Sequence, residues 1–458
     1  MNYNENCNKN QYKNSEKINW LYIPTLLERF VNTNTKIETI NKSEVVCFYG
    51  YVILSDDDLR CDCCGNKMHI HNSYDIYLKH LPFGANHSII KINKKQLECP
   101  HCGFTKVQEI PFKEEKHAIT NELKNYICDL LKTNKFTNKD IANIVGTNQN
   151  VVKDIDLERL RKIYTLDGNG KKLIRPERQA RYLGIDEFKL HNGYKYATHI
   201  IDYDTGHILW ISEGKKKQVV YDFINHVGLN WMQNVVAVAC DMNSDFEEAF
   251  KESCPHIKIV YDYFHIVKNF NDKVINKVRI DEEKRLIKEG NKEAAKKLKR
   301  TKFILTSNFN TLKKEDMEAE NSKIISKGSE VFKKQEIKRK GGKVNKYNEL
   351  INNNELFLNI ELIKDILAEA YRCNDEETMA KLIFDIMELC EESDNEYFLW
   401  FKKLLYNHFD GIISHATIKI SSGKIEGINN KIKTIRRQSY GYPDDEYFFY
   451  KIMDASRH

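Results

Sequence analysis

The apolar positions of the chain change period several times, and each change marks an element. Residues 18–30 make a short amphipathic segment, and residues 44–54 alternate as a strand does. Further strand-like patches cover residues 74–81 and 87–92. From His117 to Ile163 the period becomes helical, and residues 119–131 predict one amphipathic helix. Thr137-Asn138-Lys139-Asp140 is a helix start, with Thr137 as cap and an acid three residues on. Ile141, Ile144 and Val145 give that short helix its apolar face, Gly146 ends it, and Thr147 caps the next one. The next helix turns Val151, Val152 and Ile155 inward and Asn148, Gln149, Asn150 and Lys153 outward. A short helix, a glycine turn and a second helix headed by amides form the pattern of a helix-turn-helix, whose second helix enters a DNA major groove. Asn and Gln suit adenine edges there. A plain three-helix packing unit accounts for the same pattern.

Beyond a basic linker at residues 171–181, period two returns. Strands are predicted over residues 182–188, 194–203 and 206–212, with Asn192-Gly193 and Asp204-Thr205-Gly206 as the turns between them. A helix at 218–227, a strand at 235–241, a helix at 245–253 and a strand at 257–262 follow. Two of these strands end in an aspartate, Asp186 and Asp241. Alternate strand residues share a face, so Gly184 lies beside Asp186, and Ala237 and Ala239 beside Asp241. Leu183, Ile185, Val236 and Val238 then point the other way. Two carboxylates at strand ends, on faces kept open by small residues, suit a hard divalent cation. Three antiparallel strands followed by helix-strand-helix-strand is the order of the RNase-H-like fold. Its first and fourth strands are neighbours, which sets Asp186 beside Asp241.

Residues 267–409 read as mostly helical and lysine-rich, with a flexible loop expected at Lys340-Gly341-Gly342-Lys343. Ile360, Ile363, Ile366, Leu367, Leu382, Ile383 and Ile386 give the later part an apolar face, and Phe398, Trp400 and Phe401 an aromatic cluster. In the last helical stretch Ile425, Ile428, Ile432 and Ile435 recur on a buried face. Glu426, Asn430, Lys433 and Arg437 line the adjacent polar one. A carboxylate at the head of that row can reach a metal, and the cations after it can hold phosphates. A solvated helix face has the same pattern.

Composition narrows this picture. A chain of 458 residues exceeds one ordinary core, so two to four domains are expected. The net charge of +6 permits a polyanionic partner without demanding one. No apolar run reaches the roughly twenty residues of a membrane span. The polar N-terminus lacks a signal core, so a cytoplasmic protein is expected. The twelve cysteines then read as reduced thiols. Cys61/Cys64 and Cys99/Cys102 are each a C-x-x-C followed by glycine, the turn in which two thiolates grip one structural zinc ion. This predicts a zinc ribbon over 61–103, with Cys63, His69, His71 and His101 as alternative ligands and ordinary buried cysteines as the plain reading.

Gly184-Ile185-Asp186-Glu187-Phe188, Cys240-Asp241-Met242, Tyr261-Asp262-Tyr263-Phe264-His265 and Glu426-Gly427-Ile428-Asn429-Asn430-Lys431-Ile432-Lys433, followed by Arg436, Arg437, Tyr440, Gly441 and Tyr442, resemble the ISL3-family insertion-sequence transposases. The likeness covers nearly the whole chain. It implies Asp186, Asp241 and Glu426 as the acidic triad on two Mg²⁺ (or Mn²⁺) ions, with Asp262 and His265 in support. It further implies strand cleavage and transfer on double-stranded DNA, meaning the terminal inverted repeats and a target. Asn148, Gln149, Asn150, Lys153, Lys433, Arg436 and Arg437 are the expected DNA contacts. A homo-oligomer on DNA, in the cytoplasm with the nucleoid, is the expected working form.

The expected architecture is a multidomain α+β and α/β chain. It has a disordered tail (1–17), an N-terminal region with the zinc ribbon (18–112) and a helix-turn-helix domain (113–170). An RNase-H-like core (179–266 and 412–458) is interrupted by a helical insertion (267–411) that helps hold the element's ends. A DNA-binding regulator with an inactive core, or a nuclease on the same fold without strand transfer, are the alternatives.

Overall fold

The computed structural model describes residues 27–457 except 171, 192–194, 243, 322–323, 328–334, 339–340, 422 and 439–441. The tail at 1–17, most of the 18–30 segment, the Asn192-Gly193 turn, Lys340, Tyr440 and Gly441 lie outside the described residues. The chain forms two units, Met1–Ile174 with Arg436–Ser456, and Arg175–Ile435.

The first unit is built on a sheet of order β1-β2-β4-β3, with β5 pairing the end of β4 beyond the reach of β2. Strands β1 (Phe30–Ile40) and β2 (Ser43–Val52) form an antiparallel hairpin. Its two turn residues, Asn41 and Lys42, both take positive φ, as a tight hairpin turn requires. Strands β3 (His69–Phe83) and β4 (Asn86–Glu98) form a second hairpin, β4 lies parallel to β2, and β5 is Thr105–Val107. Alternation puts Val46 and Phe48, and Ile90 and Ile92, on one face, where they pack with Leu78, Ile110 and Phe112. Strand β1 goes beyond the sequence pattern: FVNTNTKIETI is polar, and no residue of it is fully buried.

Three helices follow, α1 (Asn121–Lys132), α2 (Asn138–Val145) and α3 (Gln149–Tyr164). Thr137 and Asp140 form a reciprocal capping box on α2, and Gly146 closes it in the left-handed region at φ 72°. The cap of α3 is Asn148, not Thr147: its side chain accepts from the Asn150 N–H. Ile141 and Val145 turn inward as expected, but Ile144 is exposed and Ala142 takes its place on the inward face. Leu123, Ile127, Leu131, Ile141, Val145, Val152 and Ile155 fill the space between the three helices.

The C-terminal helix, Asp445–Ala455, packs on α3 in this same unit. Asp156 is fully buried and meets Arg159 at 2.8 Å, the Tyr447 hydroxyl at 2.8 Å and Lys451 at 3.0 Å. Arg159 also reaches Asp454 at 2.9 Å, and Arg161 clasps Glu446 through two bonds of 2.9 and 2.7 Å. The stretch read as one piece, 412–458, is therefore divided between the units, because its last helix carries charges that complete the α3 network.

The second unit holds a sheet of order β10-β9-β6-β7-β8. Strands β6 (Tyr182–Lys189), β7 (Tyr196–Asp202) and β8 (Ile208–Glu213) are antiparallel. Strand β9 (Ala237–Cys240) runs parallel to β6, with Gly184 opposite Ala239, and β10 (Lys258–Tyr261) runs parallel to β9. Helices α4 (Lys217–Val227) and α5 (Ser244–Ser253) bracket β9 in the chain. Val236 lies outside β9 and is 39% exposed, so it does not join Leu183, Ile185 and Val238 in the core as expected.

Among the described residues, the helical stretch 267–411 shares its apolar core with the sheet layer. Phe270, Ile363, Ile383, Phe398, Phe401 and Leu405 belong to one cluster with Leu183, Val238, Phe246 and Tyr261 of the sheet layer. Trp400 stays at the surface. Gly342, expected in a flexible loop, precedes the helix Lys343–Asn352 at φ 85°.

Candidate functional site

Two groups of potential ligands stand out, one in each unit, and they are assembled differently. In the first unit, Cys61, Cys64, Cys99 and Cys102 bring their sulfurs within 4.8 Å of one another. Each pair sits in the same backbone turn. The Gly65 N–H donates to the Cys61 carbonyl at 2.9 Å, and the Gly103 N–H donates to that of Cys99 at 2.9 Å. Both glycines take positive φ, 73° and 71°, which β-carbon-bearing residues resist. Sγ–Sγ separations of 3.6 Å (Cys61–Cys102) and 3.5 Å (Cys64–Cys99) approach the about 3.8 Å edge of a tetrahedron around zinc.

The thiols also fit a cation electrically. A hydrogen bond from the Asn66 backbone lowers the Cys64 thiol to about 6, while Cys102, despite the Phe104 N–H, is pushed up to about 12 by burial and its neighbours. One negative charge is favoured and the next opposed, which a divalent ion would relieve. The four cysteines therefore make a cluster suited to a structural zinc ion. Cys63 is exposed and stands outside it, as do His69, His71 and His101.

In the second unit, Asp186 lies at β6 and Asp241 immediately after β9, and both line one small pocket with Ala239, Asp262, His265 and Ile425. The parallel pairing of β6 with β9 makes them neighbours. Each aspartate is fixed the same way: Oδ1 accepts the N–H of the next residue at 2.7 Å, Glu187 for Asp186 and Met242 for Asp241. His265 Nδ1 stands 3.2 Å from Asp241 Oδ1. It enters the pocket from the first turn of α6 (Tyr263–Asn269), just after Asp262 at the end of β10. Burial raises the Asp186 carboxyl above its ordinary range, with the Asp241 charge adding to the shift.

Glu426 sits in the first turn of the helix Gly423–Gln438, here α7, and is exposed. Among the described residues, Asp186, Asp241 and Glu426 do not form a group with ligand atoms within 4.8 Å of one another. The helix is nevertheless seated on the first aspartate's strand. A β-carbon on Gly184 would come within 2.9 Å of Ile425, so the small residue beside Asp186 makes room for the Glu426 helix and the face is not simply open.

Asn429, one turn after Glu426, donates from Nδ2 to Asp186 Oδ2 at 2.6 Å, and its Oδ1 is buried without a protein partner. Sequence reasoning missed this residue. The signal was there: an amide four residues after buried Ile425 and three before buried Ile432 is a polar group on the inward flank. Lys433 and Arg437 are exposed on α7 and Arg436 is half-buried.

Of the four expected contacts on α3, Gln149 and Asn150 have exposed side chains. Asn148 spends its carbonyl oxygen as the helix cap. Lys153 pairs with Asp444 at 2.8 Å and lies over the Tyr447 ring, 5.6 Å from its centroid. No helix among the described residues is long and apolar enough to cross a membrane.

Comparison with known proteins covers both regions. Residues 58–102 match the profile described as the zinc-finger of transposase IS204/IS1001/IS1096/IS1165. The chain is 25% identical over 396 residues to the transposase for insertion sequence element IS1001 of Bordetella parapertussis, covering 86% of this chain and 88% of that one. It is also 28% identical over 87 residues, a fifth of either chain, to the transposase for insertion sequence element IS1557 of Mycobacterium tuberculosis. Residues 183–452, more than half of the chain, match the ISL3 profile of DDE enzymes described as Transposase. With that match spanning Asp186, Asp241 and the Glu426 helix, the chain belongs to the ISL3 family of DDE transposases.

Proposed function

We propose that this enzyme binds the terminal inverted repeats of an insertion sequence and catalyses hydrolytic strand cleavage, then transfer of the freed 3′ end into target DNA. The observation that carries the reading is the pocket in which Asp186 and Asp241, from adjacent parallel strands, meet Asp262 and His265 beneath the helix headed by Glu426. The strand order supports an RNase-H-like core, and the sequence α2, Gly146, α3 supports a helix-turn-helix.

The carboxylate donors fit hard cations, and Asp186, Asp241 and Glu426 are the residues that would hold them. Two Mg²⁺ (or Mn²⁺) ions bound there would lower the pKa of the attacking water or 3′-hydroxyl and stabilise the departing oxygen. The protein's own part is positioning. Backbone N–H groups fix one oxygen of each aspartate, Asn429 fixes the second oxygen of Asp186, and His265 holds Asp241. A site for two ions would draw its ligands from a wider span than a single-ion cage. Glu426 can therefore complete the set from the exposed side without touching both aspartates.

Gln149 and Asn150 are the base-reading side chains of α3 in this proposal, while Asn148 and Lys153 hold the helix in place. Lys433, Arg436 and Arg437 contact phosphates. Pairing of two ends calls for a homo-oligomer on DNA, in the cytoplasm with the nucleoid.

The test incubates the full chain with a DNA fragment bearing the terminal repeats and Mg²⁺. Cleavage at the repeat followed by joining is expected. Binding without cleavage overturns the proposal in favour of a regulator, and cleavage without joining in favour of a nuclease.

A further inference from the structure

His69, His71 and Glu98 carry no role in the chemistry above, yet their ligand atoms all lie within 4.8 Å of one another. We propose that they form a second metal site, for a borderline divalent cation of the zinc type, on the strand pair that leads into the cysteine centre. The backbone is arranged for it. In the antiparallel β3–β4 ladder, His69 pairs directly with Glu98, which puts their side chains together on one face. A regular ladder would then pair His71 with Gln96, about 7 Å further along the strand. Instead Ile70 pairs with Leu97 and Asn72 with Gln96, so His71 is the extra residue of a β-bulge. A bulge bends its strand and re-aims the side chain it carries. Here the second imidazole reaches Glu98, with Nδ1 2.7 Å from Oε2. A surface ion pair accounts for that contact alone. It does not account for His69 converging on the same point.

The donor set selects the ion. Two imidazoles and one carboxylate are too nitrogen-rich for magnesium and suit zinc or its neighbours, with coordination positions left open to water or a further ligand. The site differs from the cysteine centre in its donors more than in access. The His71 side chain is 55% exposed and that of Glu98 32%, and of the four cysteines Cys61 and Cys99 are buried while Cys64 and Cys102 are exposed, but four thiolates grip a zinc-type ion more tightly than two imidazoles and a carboxylate. Its ion should exchange with solvent while the thiolate-held ion stays. Since Glu98 immediately precedes Cys99, an ion here would tie β3 to β4 at the root of one cysteine turn.

The test counts zinc in the full-length chain after saturation and desalting, with cobalt substitution in parallel. With the acidic pocket's ligands removed by Asp186→Ala and Asp241→Ala in every protein compared, the otherwise wild-type chain should hold two ions, and a brief chelator wash should reduce this to one. His71→Ala and Glu98→Gln should each hold one. Their thiolate-to-cobalt charge-transfer bands should match those of the otherwise wild-type chain, which shows that the cysteine centre is intact. If His71→Ala loses those bands through misfolding, Glu98→Gln decides the count. One ion in the saturated, otherwise wild-type chain, or two ions retained in a variant with intact bands, overturns the proposal.

Discussion

The cysteine centre and the acidic pocket differ in how their ligands are gathered. Each half of the cysteine centre is a single tight turn with its own glycine, so two short segments carry nearly all the geometry. The acidic pocket draws on β6, the end of β9, the start of α6 and a helix some 240 residues after Asp186. The first site is finished locally. The second depends on how well distant elements pack, and its outermost carboxylate, Glu426, stays exposed. Local sites fail through their ligands alone, whereas distributed sites also fail through their supports.

The largest effect should come from the carboxylates. Asp186→Ala, Asp241→Ala or Glu426→Ala should lower Mg²⁺-dependent cleavage about 10³-fold or more while zinc content and end binding persist. Full cleavage by any one variant, in a gel assay on repeat-bearing DNA, removes that residue from the set. Next is Cys99→Ser, which should lose the cysteine-held zinc and melt the first unit, because structural zinc contributes folding free energy directly. Unchanged zinc in that variant removes Cys99 as a required ligand.

A support of the distributed site should yield a smaller loss. Gly184→Val pushes a side chain against Ile425 and Ile201, at a cost of about 1–3 kcal/mol. It should lower cleavage with zinc content untouched. Wild-type cleavage would show that the seat of α7 on β6 is unimportant.

The mildest probe is acid. Burial pushes the Glu247 carboxyl up, but bonds from His408, Lys251 and Tyr261 outweigh it and hold it at about 2. A carboxylate depressed on folding adds stability that is fully present above its unfolded value near 4.5 and is lost as pH falls towards 2. The loss should amount to about 3 kcal/mol at most. Glu247→Gln should flatten that part of the acid-unfolding curve, and an unaltered curve refutes the assignment.

The same contrast explains what could be read from the amino acids. The cysteine turns were legible because spacing and glycine fix them within five residues. Asp241 was legible as a strand end with small residues alternating beside it, whereas Asp186 lies inside β6, which runs on to Lys189. Helix α2 was legible from its capping box, yet its face was misjudged at Ile144, where Ala142 turns inward instead. Strand β1 was not legible, because an edge strand exposed on most positions needs no apolar alternation. Nor was the pairing of the last helix with α3. Asp156, Arg159 and Asp454 are ordinary surface residue types until a partner 290 residues away buries them. Asn429 was hidden for a similar reason, since one amide gains meaning only once Asp186 is known to lie across from it.

The chain crosses from the first unit to the second after Ile174 and returns at Arg436. Neither piece is therefore finished when the ribosome has passed its main part. A product that ended before Asp445 would lack Tyr447, Lys451 and Asp454, leaving Asp156 and Arg159 without the helix that encloses them. Such a fragment would be born with a flawed amino-terminal half. Truncation before the last helix would thus unsettle a core laid down some three hundred residues earlier, through two charges left without their partners.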